Sequence, residues 1–506
     1  MSSGTEKAPG SDLREALQPR RPGAVGRIEK ARNPAHALTR MRPYLRPFRP
    51  ALVLVFAVVV LYTLLGLAGP WLMGIAIDRF LGPGQRRELL RIVLWMATVY
   101  LLTNGFQFLA AWLMASISQK ALQELRRDLF SHIQRLPLRF FDREPVGELM
   151  SRLTSDIDAI NQAVSQNVIA LFGGTLSLAG ILAAMFLLDA WLALASILVV
   201  PVMIGFTRFV ARYTRKGYRS LQEKLGGLNT IAAEAIGGQK VIQAFGRNDA
   251  VLAAFRERNE AVFRAAVYAN NYSMLLMPLT GVLGNFFVVV LAGLGGWLAL
   301  RGLVSIGVIT AFIIYGQNFI QPLRLLANIY NAIQAALAGA ERIFEILDTP
   351  TEGDGGEPME AVRGEVRFEE VAFAYEPGHP VIREMTLGVE AGMTVALVGP
   401  TGAGKTTIMN LLTRFYEIDG GRIALDGRDL SGIAKADLRR ALGLVPQDTF
   451  LFAESVMENI RFGRLNASDA ECIEAAALAD ADHFIRQLPH GYQTLLSERA
   501  ANLSQG

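Results

Sequence analysis

The chain has 506 residues, enough for two or three domains, and a formal net charge of only +4. Apolar residues make up 51% of it and charged residues 19%, with a mean hydropathy of +0.30, which argues against a purely soluble protein. A single cysteine, Cys472, excludes an intrachain disulfide framework and fits soluble parts that face a reducing compartment.

Residues 1–50 carry 11 Lys/Arg against 4 Asp/Glu, several prolines and no apolar run. A secretory signal needs a short apolar core and a small-residue cleavage site, and neither is present. The segment reads as a basic, flexible cytosolic tail. Its charge has no aromatic or motif support for nucleic-acid binding, so no nucleic-acid partner is expected.

Six stretches without Asp, Glu, Lys or Arg follow: 51–77, 92–118, 168–188, 190–207, one within 265–300, and 302–323. Crossing a bilayer takes roughly 20 residues of helix, and Trp71, Trp112, Trp191 and Tyr272 stand near stretch ends, as interfacial aromatics do. The expectation is a six-helix membrane domain over 51–340. Asp189 alone separates the third and fourth stretches, and Arg301 alone the fifth and sixth. By contrast 119–166 holds 7 Lys/Arg and 211–264 holds 10, which places these long loops and the N-terminus in the cytoplasm. The first external loop, with Arg79, Arg86, Arg87 and Arg91, runs against that rule and is outvoted by the other connections.

Both long loops carry helical periodicity, so the spans are expected to continue into the cytoplasm. Leu122, Leu125, Leu129 and Ile133 recur at helical spacing, and Ile231, Ala235, Ile236, Val241 and Ile242 form a weaker pattern broken by Gly237 and Gly238. Polar side chains within the spans are few: Asn104, Gln107, Asn285, Gln317, Asn318 and Gln321, expected to bond to neighbouring helices. Phe286, Phe287, Phe312, Tyr315 and Phe319 interleave with them. A cavity of that character, with no intramembrane charge, suits an apolar or amphipathic cargo better than an ion.

Composition shifts at 349–364, within an expected linker over 341–363, and an α/β domain is expected over 364–506. Val366, Phe368, Val371, Phe373 and Tyr375 form a strand-like pattern, and Val395, Leu397 and Val398 read as a short buried strand. That strand runs into Gly399-Pro400-Thr401-Gly402-Ala403-Gly404-Lys405-Thr406-Thr407, with helical character from Lys405 onward. This is the phosphate-loop pattern in its required strand–loop–helix setting. Glycines let the backbone wrap phosphate oxygens, while N–H groups and the helix N-terminus supply positive potential. Lys405 can reach the β- and γ-phosphates, and Thr406 is placed to ligate Mg²⁺.

With these residues in hand, the chain resembles an ATP-binding cassette exporter of the half-transporter type over nearly all of 40–506. The stretch Phe140–Leu149 followed by Ser151–Asp156 is similar to that family's first intracellular loop. Leu444-Val445-Pro446-Gln447-Asp448 followed by Leu451-Phe452 resembles its Q-loop, and Leu503-Ser504-Gln505-Gly506 the start of its signature motif. The resemblance implies ATP and Mg²⁺ as ligands, Tyr375 stacking on adenine, and Gln447 sensing the γ-phosphate and the metal. It implies that Ser504 and Gly506 complete the nucleotide site of a second half-transporter, so a dimer is required. It implies that Phe141–Leu149 and the 231–246 segment form coupling helices. Its commonest setting is multi-pass in a bacterial cytoplasmic membrane, exporting a lipid, drug or peptide-like substrate, with the N-terminus and nucleotide domain in the cytoplasm.

The chain departs from the family pattern at Ser497-Glu498-Arg499-Ala500, where glycines are common. It ends at Gly506, inside the signature, so the family's catalytic glutamate and switch histidine lie beyond it, and His483 and His490 precede the place of that histidine. No general base is therefore assigned, and residues 1–506 alone are expected not to hydrolyse ATP. The alternative reading is a membrane protein that binds ATP as a regulatory ligand without hydrolysing it.

Overall fold

A computed structural model of the protein describes residues 31–80, 86–353, 355–359, 362–447 and 449–497. The chain divides into two units, one of residues 1–136 and 140–352, the other of 137–139 and 353–506.

The first unit is helical. Helix α1 (Pro34–Leu45) leads through a 3₁₀ turn (Arg46–Phe48) into α2 (Arg49–Phe80), and α3 (Arg86–Ile133) follows. After short helices and two π-turns (Arg152–Asp156 and Ala163–Asn167) come α4 (Val168–Leu188), α5 (Ala190–Gly237), α6 (Asn248–Leu300) and α7 (Ile306–Leu347). Five of the charge-free stretches lie within the helices α2 to α6, and the sixth, 302–323, enters α7 at Ile306 after a short turn. Among the described residues, the helical spans 34–79, 87–133 and 146–188 are long and apolar enough to cross a bilayer, and Gly284–Leu300 and Ile306–Phe319 are shorter apolar helices. The 48 residues of α3 extend about 70 Å at 1.5 Å per residue. A hydrocarbon core is about 30 Å thick, so much of that helix lies outside it.

The single-residue connection between α4 and α5 works because Asp189 leaves the helical region (φ −160°, ψ 122°) and its carboxylate accepts the Leu192 N–H at 2.8 Å, capping α5. Ser305 caps α7 in the same way, accepting from Val308 N–H at 3.2 Å. Asp78 of α2 ties onto that cap: Ser305 Oγ donates to it at 2.6 Å and the Gly307 N–H at 2.7 Å. The helices α2 and α7 meet there through Gly74 and Gly307, where a Cβ on either would collide with the other's backbone.

The periodic residues Leu122, Leu125, Leu129 and Ile133 are buried against Ile157, Ile160, Ile343 and Phe344, as the spacing requires. Helix α7 runs to Leu347, beyond the start of the expected linker at 341, because Ile343, Phe344 and Ile346 belong to this core. A second core gathers Ile181, Met185, Leu192, Leu291, Phe312 and Tyr315. Phe312 and Tyr315 are thus packing residues, not cavity lining, and the Tyr315 hydroxyl donates to the Leu67 carbonyl at 2.5 Å. Asn104 bonds back to the Tyr100 carbonyl of its own helix, at 2.8 Å, and among the described residues to no neighbouring helix. In the second long loop α5 ends at Gly237, and a short helix (Gln239–Ala244) follows with Ile236, Val241 and Phe245 exposed.

The second unit holds an antiparallel sheet of β1 (Val366–Phe373), β2 (Ile382–Val389), β3 (Gly420–Leu425) and β4 (Arg428–Asp429), in the order β2-β1-β3-β4. The buried positions of β1 skip from Phe368 to Val371, because a bulge at Glu370 (φ 48°) changes the facing parity. Gly421 (φ 83°) accommodates that bulge, since a Cβ there would strike the Glu369 and Glu370 carbonyls. Phe368, Val371, Phe373, Ile382, Leu411, Ile423 and Leu438 form the core, each burial contributing about 1.5–3 kcal/mol. Residues 393–398 form no strand, contrary to expectation, and Val398 is 92% exposed. No strand of the described sheet flanks them, so their N–H and C=O groups have no ladder to join.

Candidate nucleotide site

The glycine-rich loop leads into helix α8 (Lys405–Leu412), whose N-cap, Gly404, adopts the left-handed conformation (φ 86°, ψ 10°). Gly402 is left-handed too (φ 87°). Two such residues in a three-residue span turn the backbone tightly, which side-chain-bearing residues resist. A Cβ at Gly404 would also lie 2.8 Å from Ile382 Cδ1. Lys405 curls back over the loop, and its Nζ donates to the Gly399 and Pro400 carbonyls, both at 2.8 Å. The ammonium, the loop N–H groups and the helix N-terminus thus collect positive potential in one place.

The two threonines separate in role. Thr406 is exposed on the first turn of α8, with no side-chain hydrogen bond among the described residues. Thr407 is buried, and its hydroxyl accepts from the Tyr375 hydroxyl at 3.2 Å. Asn410 Nδ2 reaches the same tyrosine oxygen at 3.4 Å. Tyr375 is half-buried, with its ring edge-on to Phe373 and Tyr416 at centroid distances of 4.9 and 5.0 Å. The structure therefore brings Tyr375 against the phosphate-loop helix, 32 residues away in sequence. Pro400, Thr401 and Ala403 lie in the loop itself. Gln447 is exposed in an irregular segment, and Asp448, Ser504 and Gly506 lie outside the described residues.

Sequence reasoning missed the support at the far end of α8. Arg414, in left-handed conformation (φ 49°), donates to the Leu430 and Ile433 carbonyls at 2.6 and 2.8 Å. Its second nitrogen and the buried Lys435 both grip Glu417, at 3.0 and 2.8 Å. Partial burial would raise the Glu417 pKa, but the hydrogen bonds and charges of Lys435 and Arg414 outweigh it and hold the carboxyl below its ordinary range. A basic residue three before Glu417 was the only local signal.

The residues present fit a nucleotide triphosphate: a side-chain-free cradle, one ammonium over it and an uncommitted hydroxyl at the helix start. Among the described residues, no cluster of three His, Cys, Asp or Glu is able to hold a metal. Mg²⁺ would be held largely by phosphate oxygens, and the exposed Thr406 hydroxyl at the helix start is the side chain that would join them. When bound, ATP supplies the phosphoanhydride whose cleavage releases energy.

Residues 52–323 match the family described as the ABC transporter transmembrane region, and residues 382–506 match the ABC transporter family. The chain belongs to the ABC transporter family. It is 36% identical to the Bacillus subtilis uncharacterised ABC transporter ATP-binding protein YfiC, over 94% of this chain and 80% of that one. It is 41% identical to the Mycobacterium bovis fatty acid ABC transporter ATP-binding/permease protein over 77% of this chain, spanning 62% of that relative's length. It is 33% identical to the ATP-dependent lipid A-core flippase of Syntrophus aciditrophicus, over 92% and 77% of the two chains. Among solved structures, a bacterial Atm1-family ABC exporter with ATP bound superposes with a TM-score of 0.68 at 28% identity, covering 90% of this chain and 82% of that one. The two units are therefore the helical membrane domain and the ATP-binding domain of an ABC exporter, and the family couples ATPase activity to transport.

Proposed function

We propose that the chain is one half of a dimeric exporter that uses ATP to move an apolar or amphipathic, lipid-like substrate across a membrane. The observation that carries this reading is the loop geometry: Gly402 and Gly404 in left-handed conformation beneath the Lys405 ammonium, at the start of α8. In this reading α2 to α7 each cross the bilayer once, with the basic 119–166 and 211–264 segments and the ATP-binding domain in the cytoplasm. The names of the fatty acid transporter and the lipid A-core flippase support a lipid-like cargo. Exposed Ile236, Val241 and Phe245, in a segment outside any span, support a second copy that covers them.

Lys405 orients the β- and γ-phosphates, Thr406 holds the metal, Tyr375 offers a ring to the adenine, and Gln447 senses the γ-phosphate. Ser504 and Gly506 complete the site of the second copy. Lys405→Ala is expected to weaken MgATP binding at least about 10- to 100-fold, as loss of charge-assisted bonds to phosphate dictates. Equilibrium binding of a fluorescent ATP analogue to the purified transporter checks it. Unchanged affinity overturns the phosphate-loop assignment.

A further inference from the structure

The turn from α1 into α2 carries an open cleft of about 980 Å³ lined by Thr39, Arg42, Pro43, Arg46, Pro47 and Arg49. Three arginines thus line one space. Their spacing explains it: the chain stays in right-handed helical conformation at Leu45, Arg46 and Arg49, so residues 42, 46 and 49 recur on one side. The other side is committed to packing, with Ala37, Met41 and Tyr44 in one core and Phe48 against another. Arg40, off this stripe, pairs with Asp348 at 2.7 Å. Among the described residues, no carboxylate pairs with Arg42, Arg46 or Arg49.

The same stripe continues into Val53, which is 68% exposed, beside exposed Leu54. The surface therefore passes within one turn from concentrated positive charge to bare hydrocarbon, two residues before and two after the start of the charge-free stretch at 51. A ligand complementary to it has a phosphate at one end and an acyl chain at the other. Guanidiniums in a fork geometry match phosphate oxygens bidentately, which a cluster of lysines does not.

We propose that Arg42, Arg46 and Arg49 form a binding site for the phosphate headgroup of an anionic phospholipid whose acyl chain lies along Val53 and Leu54. Zwitterionic lipid offers the same phosphate but adds a cation that the three arginines repel, so the site selects net negative headgroups. This is separate from any transported cargo, and it rests on reading 51–77 as a membrane span.

The test uses the full chain, delipidated in neutral detergent and titrated with dihexanoyl-phosphatidylglycerol, dihexanoyl-phosphatidylcholine or inorganic phosphate, with binding read by native mass spectrometry. Phosphatidylglycerol is expected to bind at least about tenfold tighter than either alternative. The triple variant R42Q/R46Q/R49Q is expected to lose on the order of 100-fold at low salt. The triple variant R42K/R46K/R49K keeps the charge and is expected to lose only several-fold, which shows that the fold is retained should the glutamine variant misfold. Equal binding of phosphatidylcholine, inorganic phosphate binding as tight as phosphatidylglycerol (a free-anion site), or unchanged affinity in the glutamine variant would each overturn the proposal. Failure of the span reading is distinguishable: Leu64→Cys in reconstituted membranes would then react with a membrane-impermeant maleimide, whereas failure of the lipid site alone leaves it protected.

Discussion

Asp156 offers the sharpest energetic test of the first unit. Its carboxylate side chain is only 8% exposed and accepts from Arg342 Nε at 3.0 Å and Nη2 at 2.5 Å, with Arg152 Nη1 at 3.3 Å. The π-turn Arg152–Asp156 presents it to α7, where Gly339 permits the approach: a Cβ there would sit 3.2 Å from Asp156 Cβ. Replacing it by Asn leaves the shape but removes the charge and turns one acceptor into a donor facing Arg342. Breaking a buried pair from one side costs about 3–5 kcal/mol when the remaining charge is stranded. Here the arginine side chains keep 25% and 19% exposure, and Arg152 retains Glu148 at 3.1 Å. The expected loss is therefore about 2–3 kcal/mol, or roughly 5 °C in Tm at about 2 °C per kcal/mol. Thermal unfolding of Asp156→Asn in detergent measures it, with Arg152→Gln as the comparison expected to cost under about 1 kcal/mol. A Tm for Asp156→Asn within about 1 °C of the unmodified protein would refute the reasoning, because the bidentate bond would then contribute nothing net.

Gly404→Ala forces a side chain into a left-handed position and against Ile382. It is expected to destabilise the ATP-binding domain by about 2–4 kcal/mol and to weaken MgATP binding, both read by thermal unfolding with and without nucleotide. For Glu417, whose carboxyl titrates below its ordinary value of 4.5 in the folded state, the sign is that of a depressed acid. Its contribution is full above the unfolded pKa and is lost as pH falls through the folded one. Below about pH 4.5 the Glu417→Gln variant is expected to lose less stability than the unmodified protein. Parallel acid limbs for the two would contradict the Lys435–Glu417–Arg414 assignment.

Legibility followed range of interaction. The buried stripe from Leu122 to Ile133 was readable because helical periodicity is local, and so was the phosphate loop, whose glycines and lysine act within nine residues. The Asp189 connection was visible as a lone charge between two apolar runs. Features set by distant partners were not visible. Val395, Leu397 and Val398 have the composition of a buried strand, yet a strand exists only where a neighbour satisfies its backbone. Phe312 and Tyr315 looked like cavity lining because the pattern cannot say which face of a span meets other helices. Tyr375 reads as an aromatic in a strand-like pattern that the family resemblance points at adenine, and its bond to Thr407 depends on a helix position that no spacing rule connects.

The N-terminus of α1 shows the same distance at work on a cap. Its N-cap, Asn33, makes no side-chain capping bond, and the first turn carries no acidic residue. Instead Glu341, on α7, accepts the Arg32 N–H at 2.7 Å and the Asn33 N–H as well. A carboxylate thus stands where the helix dipole is positive, contributed by a residue more than 300 positions away. Losing an N-terminal cap costs about 0.5–2 kcal/mol, so Glu341→Ala is expected to speed amide exchange over residues 34–45 by about 2- to 30-fold. Arg40→Gln removes only a half-exposed pair with Asp348, and its effect on the same amides is expected to stay below about fivefold. If both variants exchange alike, the helix is held by Ala37 and Met41 packing alone and the distant cap is incidental. If Glu341→Ala stands apart, the end of α7 controls the order of α1, and any displacement of α7 reaches the three arginines at the turn into α2.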